Sequence, residues 1–406
     1  MTNLDAPDAN NPYPAEVYRQ ELSVPFDYPV YFAQQVFAPD NPLLADVLDR
    51  RREGRRHRAA IYVDAGLAHA QPGLIDRIKE YFHARPGLLE LADPPQIVPG
   101  GEAAKNGWGP VRDVMWTLGN LHMDRQSFVI AIGGGAMLDM VGFAASLVHR
   151  GLRLVRLPST VLAQNDAGVG VKNGMDEHGV KNFVGTFAPP FAVINDSSFL
   201  PTLADRDWSG GIAEAFKVAI IKDAAFFDFL ATHAPALRRR DLGAMEQLIR
   251  RCAILHLDHI RTGGDPFELG SARPLDFGHW LAHKLETMSA YRLGHGQAVA
   301  VGIAVDSWYA SNQGLISPPE LERILTGLTA CGLPIWDECL SRRAASGALE
   351  ALEGLEQFRE HLGGILCITL PHGIGRRIEV HQMNPAVIEE AAEFLRSRSG
   401  ERVNPL

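Results

Sequence analysis

Over the first two hundred or so residues, short apolar runs alternate with longer segments of helical period. Tyr28-Pro29-Val30-Tyr31-Phe32 is aromatic and β-branched, which predicts a first strand. Residues 43–52 have helical spacing. Ala59-Ala60-Ile61-Tyr62-Val63 is apolar throughout and stops at Asp64, the pattern of a strand buried on both faces with a polar residue at its carboxyl end. Residues 75–83 read as helix, Gln96-Ile97-Val98-Pro99 as a strand entering Gly100-Gly101-Glu102, and residues 111–123 as helix. Residues 128–132 form a strand that runs into Gly133-Gly134-Gly135 and then an apolar helix over 138–148. Strands over 154–157 and 192–194 complete the series. Alternation of strand and helix across residues 28–196 predicts a parallel, doubly wound α/β sheet.

Beyond Leu200-Pro201 the period changes. Helical spacing dominates over 211–221, 224–232, 245–260, 278–288, 296–312, 319–330 and 388–396, and the clearest strand run is Ile365-Leu366-Cys367-Ile368-Thr369-Leu370. The expected organisation is a flexible polar arm over residues 1–20, an α/β parallel-sheet domain over 21–198 and an all-helical domain over 199–406.

Composition narrows the function. With 46% hydrophobic and 21% charged residues the chain is an ordinary globular one, and its net charge of −9 argues against nucleic acid or an anionic membrane as partner. The basic run from Arg50 to Arg58 lacks interleaved aromatics and reads as a solvated helix end and loop. The four cysteines, Cys252, Cys331, Cys339 and Cys367, form no CxxC pair, so neither a disulfide framework nor a cysteine zinc site is expected. No apolar run reaches membrane length and no signal peptide is evident, so a reducing, cytoplasmic setting is expected.

Four stretches carry candidate chemistry. His279 and His283 are four apart, hence on one helical face, and His295 follows just past Leu293-Gly294. Three such imidazoles can converge on one ion with a carboxylate beside them, although spacing alone fits three unrelated histidines equally well. The glycine turn at Gly133-Gly134-Gly135 can bring backbone N–H groups to a pyrophosphate, or it is simply a tight turn. Glu214 and Lys217 are three apart in an apolar helix; they are either a surface pair or a buried carboxylate that needs a partner or a metal. The Gly-punctuated segment from Asn165-Asp166 through Lys172 to Lys181-Asn182 fits an anion-binding lid or a hairpin-like surface insertion.

Taken in order, these motifs resemble a known family. Gly133-Gly134-Gly135-x3-Asp139, Pro158-Ser159-Thr160-x3-Gln164-x-Asp166, Lys172, Lys181-Asn182, Gly211-x2-Glu214-x2-Lys217, Phe277-Gly278-His279-x3-His283 and His295-Gly296 are similar to 3-dehydroquinate synthase and, more broadly, to the sugar phosphate cyclases. The resemblance runs collinearly over about residues 60–305. It implies a Rossmann-like N-terminal domain and a helical metal-binding C-terminal domain with the site between them, catalytic NAD, one divalent metal (usually zinc), a phosphorylated sugar substrate and a homodimer. By position it implies Glu214, His279 and His295 as metal ligands. Asp64, Glu102, Lys105, Gly134, Gly135, Asp139, Ser159, Thr160 and Ser197 match NAD-binding positions, and Asp166, Lys172 and Lys181 line the cofactor and substrate cleft. Arg150, Asn182, Lys217 and His283 match contacts to the substrate phosphate. The implied reaction is a transient oxidation by NAD, elimination of phosphate, return of the hydride, ring opening and an intramolecular aldol closure.

The chain departs from the dehydroquinate synthase pattern where that enzyme meets its substrate carboxylate. Asp276 stands in place of an Asn, Ala272 in place of an Arg with Arg273 beside it, and the family's Lys on the preceding helix falls near Asp258. Gln297 replaces a Glu after His295-Gly296, and Arg359 and His361 lie near a late basic position of the family. A carboxylate facing a carboxylate is repulsive, so the expected substrate lacks that group. Sedoheptulose 7-phosphate, used by valiolone-type and gadusol-type cyclases, fits. The alternatives are 3-dehydroquinate synthase itself, an NAD- and metal-dependent alcohol dehydrogenase, and a catalytically silent NAD-binding protein.

Overall fold

The computed structural model describes residues 4–5, 17–18, 20–178, 180–262, 274–361 and 364–400. Of the expected arm, β1 (Leu4–Asp5) and β2 (Val17–Tyr18) pair antiparallel, and its other residues up to 19 lie outside the described residues.

A seven-stranded sheet is built from β3 (Val30–Ala33), β4 (His57–Asp64), β5 (Leu89–Leu91), β6 (Gln96–Val98), β7 (Phe128–Gly133), β8 (Arg153–Pro158) and, after the hairpin β9 (Lys172–Glu177) and β10 (Val180–Phe187), β11 (Ala192–Asp196). The order is β3-β11-β8-β7-β4-β5, with β6 also beside β4, and every pairing is parallel. Ile130 of β7 lies between Ile61 of β4 and Val155 of β8. All of β7 is buried, as its unbroken apolar run requires. One face packs on α1 (Leu43–Leu48), α2 (Ala65–Ala70) and α3 (Leu74–His83), the other on α4 (Trp108–Asn120) and α5 (Gly135–Leu147). Parallel winding brings Asp64, Gly133, Pro158 and Asp196 to one edge of the sheet, where ligands of such folds bind.

The second half holds α6 (Asp205–Lys222), α7 (Ala224–Arg238), α8 (Leu242–Thr262), α9 (His279–Met288), α10 (His295–Asn312), α11 (Pro318–Ala330), α12 (Glu353–His361) and α13 (Pro385–Gly400). It is not purely helical: β12 (Ile368–Pro371) and β13 (Arg377–Val380) form an antiparallel hairpin, and only the end of the apolar run from Ile365 becomes strand. Most of α6 and α10 is buried, so these two form the centre of this half. Glycines let them touch: a Cβ on Gly296 would sit 2.1 Å from the Gly210 carbonyl oxygen.

The basic run is a solvated helix end and loop over residues 51–56, as expected, and is anchored at both ends. His57 opens β4 in the core with Nε2 2.9 Å from Asp49 Oδ1, and the Arg50 and Arg51 guanidinium carbons lie 4.3 and 5.1 Å from the centre of the Phe191 ring. Flat guanidinium groups gain by covering an aromatic face, which holds Arg50 and Arg51 at the start of the run over Phe191.

Candidate metal and cofactor site

The sheet contributes a cradle. Asp64 ends β4 and caps α2, its Oδ1 accepting from the N–H of Gly66 (2.8 Å) and Leu67 (3.2 Å). Gly134 is the N-cap of α5, so the free N–H groups of that helix open at the strand ends, where an anion is favoured. Ser159 N–H donates to the Gly133 carbonyl (2.9 Å), and Thr160 Oγ1 accepts from Ala163 N–H (3.1 Å), which holds the next strand end beside the turn. Asp139 of α5 pairs with Lys105 at 2.9 Å, and Lys105 also donates to Asn182. Lys181 bridges Glu102 (3.3 Å) and Glu286 (2.9 Å). The segment with Lys172, Lys181 and Asn182 is thus a hairpin whose charged residues reach the cradle, and Asn182, expected at a substrate phosphate, is bonded to a residue of the expected cofactor set.

Two further expected residues have other surroundings. Arg150 is exposed just past the far end of α5 from Gly134. Ser197, next to Asp196 at the sheet edge, donates through Oγ to Glu246 of α8 at 2.6 Å and lines a cavity of about 330 Å³ with Phe32, Asn195 and Arg250.

The helical half contributes the candidate metal ligands. Glu214 on α6, His279 at the start of α9 and His295 at the start of α10 bring their donor atoms within 4.8 Å of one another. Glu214 Oε1 lies 3.6 Å from His279 Nε2 and 3.3 Å from His295 Nε2. Ligand atoms about 2.1 Å from a common tetrahedral centre sit roughly 3.4 Å apart, so the spacing fits one ion. Glu214 is wholly buried, and neither of its oxygens accepts an aligned hydrogen bond. A buried carboxylate that meets the Lys217 ammonium through Oε2 and faces two imidazoles through Oε1 is a donor set that a divalent cation fits. The far nitrogens aim the rings: His279 Nδ1 meets the Phe277 carbonyl at 3.2 Å and His295 Nδ1 meets Glu286 Oε2 at 3.1 Å. His283, exposed, has its ring centre 5.5 Å from that of His279 and 6.0 Å from that of His295.

The electrostatics are those of a site built around positive charge. Burial alone would make His295 less basic, but Glu214 and Glu286 outweigh it and push it up to about 10. Burial raises Glu286, yet His295 and Lys181 bring it down to about 2. Burial opposes the Lys217 ammonium, but Glu214 and Asp166 hold it above its ordinary value. His279 is driven well below its usual value by burial and by Lys217, so it offers a neutral ring.

Asp166 lies in a π-helical turn, Ala163–Ala167, with Oδ2 3.4 Å from Lys217 Nζ and Oδ1 3.2 Å from His256 Nε2. His256, and not Asp258, is therefore the residue of α8 that faces the cleft; Asp258 pairs at the surface with Arg261 at 2.9 Å. Asp276, half-buried, adds its negative charge to those that raise Lys217. Lys172, exposed, opens β9. Ala272 and Arg273 lie outside the described residues. Arg359 pairs with Glu356 on the exposed side of α12.

Sequence reasoning missed Glu286 and His256. The signal for Glu286 was present: an acid in an apolar helix, three residues after His283, invites the same question as Glu214.

A glycine turn at a parallel sheet edge beside a two-histidine, one-carboxylate cluster defines an enzyme class that combines a dinucleotide with a divalent metal. The comparisons agree. Residues 96–210 match the family described as 3-dehydroquinate synthase N-terminal, and residues 211–353 its C-terminal counterpart. The 2-epi-5-epi-valiolone synthase of Streptomyces glaucescens is 33% identical over 378 residues, 92% of each chain. The 3-dehydroquinate synthase of Paracoccus denitrificans (strain Pd 1222) is 34% identical over 304 residues, 73% of this chain and 80% of that one. The structure of ValA, the 2-epi-5-epi-valiolone synthase of Streptomyces hygroscopicus subsp. jinggangensis 5008, with NAD+ and Zn2+ bound, superposes with a TM-score of 0.82 at 29% identity, covering 94% of this chain and 100% of that one. The chain belongs to the 3-dehydroquinate synthase-like sugar phosphate cyclases. Among the described residues no helix is long and apolar enough to cross a membrane.

Proposed function

We propose that this chain converts sedoheptulose 7-phosphate to a carbocycle with loss of phosphate, using NAD and one zinc ion, as a cytoplasmic homodimer. The observation that carries the substrate is Asp276, an acid whose charge acts on Lys217, together with Ala272 where 3-dehydroquinate synthase has the Arg for its substrate carboxylate. Likeness to two valiolone synthases over nearly the whole chain supports the same choice.

Glu214, His279 and His295 hold the metal, which when bound supplies Lewis-acid polarisation of substrate hydroxyls. Bound NAD supplies a hydride acceptor and donor within one turnover. The free N–H groups at Gly134 and Gly135 take the cofactor's pyrophosphate, and Asp139, Lys105 and Glu102 border it. Lys217, kept charged between Glu214 and Asp166, and His283 meet the anionic end of the sugar. Asp166 and His256, with Oδ1 and Nε2 3.2 Å apart, are placed to pass a proton as the sugar loses phosphate. Lys181 ties the hairpin to α9 through Glu286.

The test is phosphate release by the purified chain with zinc and NAD, comparing sedoheptulose 7-phosphate with 3-deoxy-arabino-heptulosonate 7-phosphate. Release from the first alone is the expected result. Release from the second alone makes the chain a 3-dehydroquinate synthase. NADH that accumulates with product, without phosphate, makes it an alcohol dehydrogenase.

A further inference from the structure

Asp306 is the one carboxylate of α10, and it is wholly buried. Its position is eleven residues after His295, close to three full turns, so both point from the same face of the helix. Its two oxygens have separate work. Oδ2 accepts from the Gly278 N–H at 3.0 Å, and Oδ1 accepts from the Trp280 indole Nε1–H at 2.9 Å. Gly278 and Trp280 are the two neighbours of His279.

The surrounding packing leaves this contact little freedom. Gly278 is the N-cap of α9 with φ +78°, and a Cβ on Gly302 would sit 2.1 Å from its carbonyl oxygen. The start of α9 therefore lies backbone against backbone on α10. Trp280 is 1% exposed, so its ring is fixed by packing and its N–H has no water to turn to. The positive end of α9 offsets part of the cost of burying a carboxylate here.

We propose that Asp306 is a positioning residue for the metal site: by gripping both neighbours of His279, it fixes the first turn of α9 so that His279 Nε2 faces Glu214 and His295. The inference rests on the reading of Glu214, His279 and His295 as metal ligands. A merely structural acid in the same place would set the stability of the helical half and leave the metal affinity alone.

The test measures zinc affinity of the metal-free full chain by competition with a chelator, together with the visible spectrum of the cobalt-substituted protein and its thermal midpoint. Asp306→Asn keeps the shape but turns an N–H group toward one of the two donors. It is expected to bind zinc about 10–100-fold more weakly, with a shifted cobalt spectrum. Adding Trp280→Phe removes the opposed indole N–H, so the double variant is expected to recover part of the loss. Zinc affinity of folded Asp306→Asn within about twofold of the parent overturns the proposal, because partners that orient ligands ordinarily cost far more. If Asp306→Asn does not fold, Trp280→Phe alone decides: weaker zinc binding supports the proposal, and unchanged binding overturns it. Should the parent chain take up no zinc, and His279→Ala change nothing, the metal reading itself fails and the inference falls with it.

Discussion

Arg156 is the group whose removal tests most directly how the fold serves the site. It lies on β8 with 0% exposure, and its partners are oxygens of the segment that follows Asp166. Its guanidinium donates to the carbonyls of Gly168 (3.3 Å), Gly170 (2.9 Å) and Lys172 (2.8 Å) and to Asn173 Oδ1 (2.6 Å). Burial pushes the guanidinium below its ordinary value, a sign of what it costs to keep a charge there. Consider Arg156→Met. Hydrogen bonds from a charged donor contribute about 1.5–3 kcal/mol each, so four amount to roughly 6–12 kcal/mol gross. Against this, removing a buried charge recovers several kcal/mol of lost hydration, which is why apolar replacements of buried ions are sometimes neutral. Here the acceptors stay behind without donors, and the balance falls near the loss of about 3–5 kcal/mol seen when one partner of a buried pair is removed.

For a cooperative unit of roughly 150–250 residues that loss lowers the thermal midpoint by about 6–20 °C. Amides of residues 168–173 are expected to exchange with deuterium far sooner in the variant, since their carbonyl anchor is gone. Turnover should fall while bound zinc stays constant, because Asp166 is two residues from the released segment and the candidate ligands are not. A variant with unchanged midpoint and unchanged exchange would mean that dehydration of the guanidinium cancels all four hydrogen bonds, and the argument would be refuted.

Three further outcomes are expected. His279→Ala should leave the chain without tightly bound zinc and lower turnover by at least about a hundredfold, measured by metal analysis and phosphate release; full zinc content would remove His279 from the ligand set. Gly142→Ala places a Cβ 1.9 Å from Asn173 Oδ1, which breaks the Arg156 contact from the other side, so it should lower the thermal midpoint although Ala favours helices; a raised midpoint would show that Asn173 moves freely. Burial lifts Asp306 from 3.8 to about 7 against the weaker pull of Trp280 and Gly278, so the folded chain keeps a proton that the unfolded chain releases. The contribution of this group to stability is full below about 4, is lost as pH rises to about 7, and is level above; urea unfolding at a series of pH values should show this slope vanish in Asp306→Asn, and an identical slope would reject it.

What the sequence made legible follows from physics that acts locally. β4, β7, β8 and β11 are buried on both faces, so their apolar runs stand out against the polar segments between them. β5 is three residues long and leaves no such run, and α12 is largely polar with a narrow buried stripe, so neither was visible. Helical spacing is read only over 224–232; α7 continues through Pro235 to Arg238, since a proline in the last turn forgoes only one backbone bond. In the site, His279, His283 and His295 were legible because their spacing is set by one helix face and one turn. His256 and Asp306 were not, because their roles depend on which helix lies opposite, and Glu286 showed only as an acid in an apolar helix with its partners unspecified. Only the packing of α8 on the π-helical turn gives His256 the partner Asp166, and nothing in its neighbourhood along the chain marks it.

The charged groups of the cleft form two lines, and both end on Glu214. One runs His256–Asp166–Lys217–Glu214, joining α8, the turn after β8 and α6. The other runs Glu102–Lys181–Glu286–His295–Glu214, joining the sheet edge, the hairpin, α9 and α10. Glu214 is therefore both a candidate ligand and the counter-charge of a buried ammonium. Glu214→Ala confuses these roles: loss of the metal arrives together with a buried Lys217 left to Asp166 alone, and breaking a buried pair costs up to about 3–5 kcal/mol. Glu214→Ala with Lys217→Met separates them. The pair removes both charges, so much of the lost stability should return, while zinc binding should stay absent because Glu214 and its oxygens are gone. If stability stays low in the double variant, Lys217 was never held by Glu214. If zinc returns with it, the ion is held by the histidines without a carboxylate from α6, and Glu214 serves only to keep Lys217 charged.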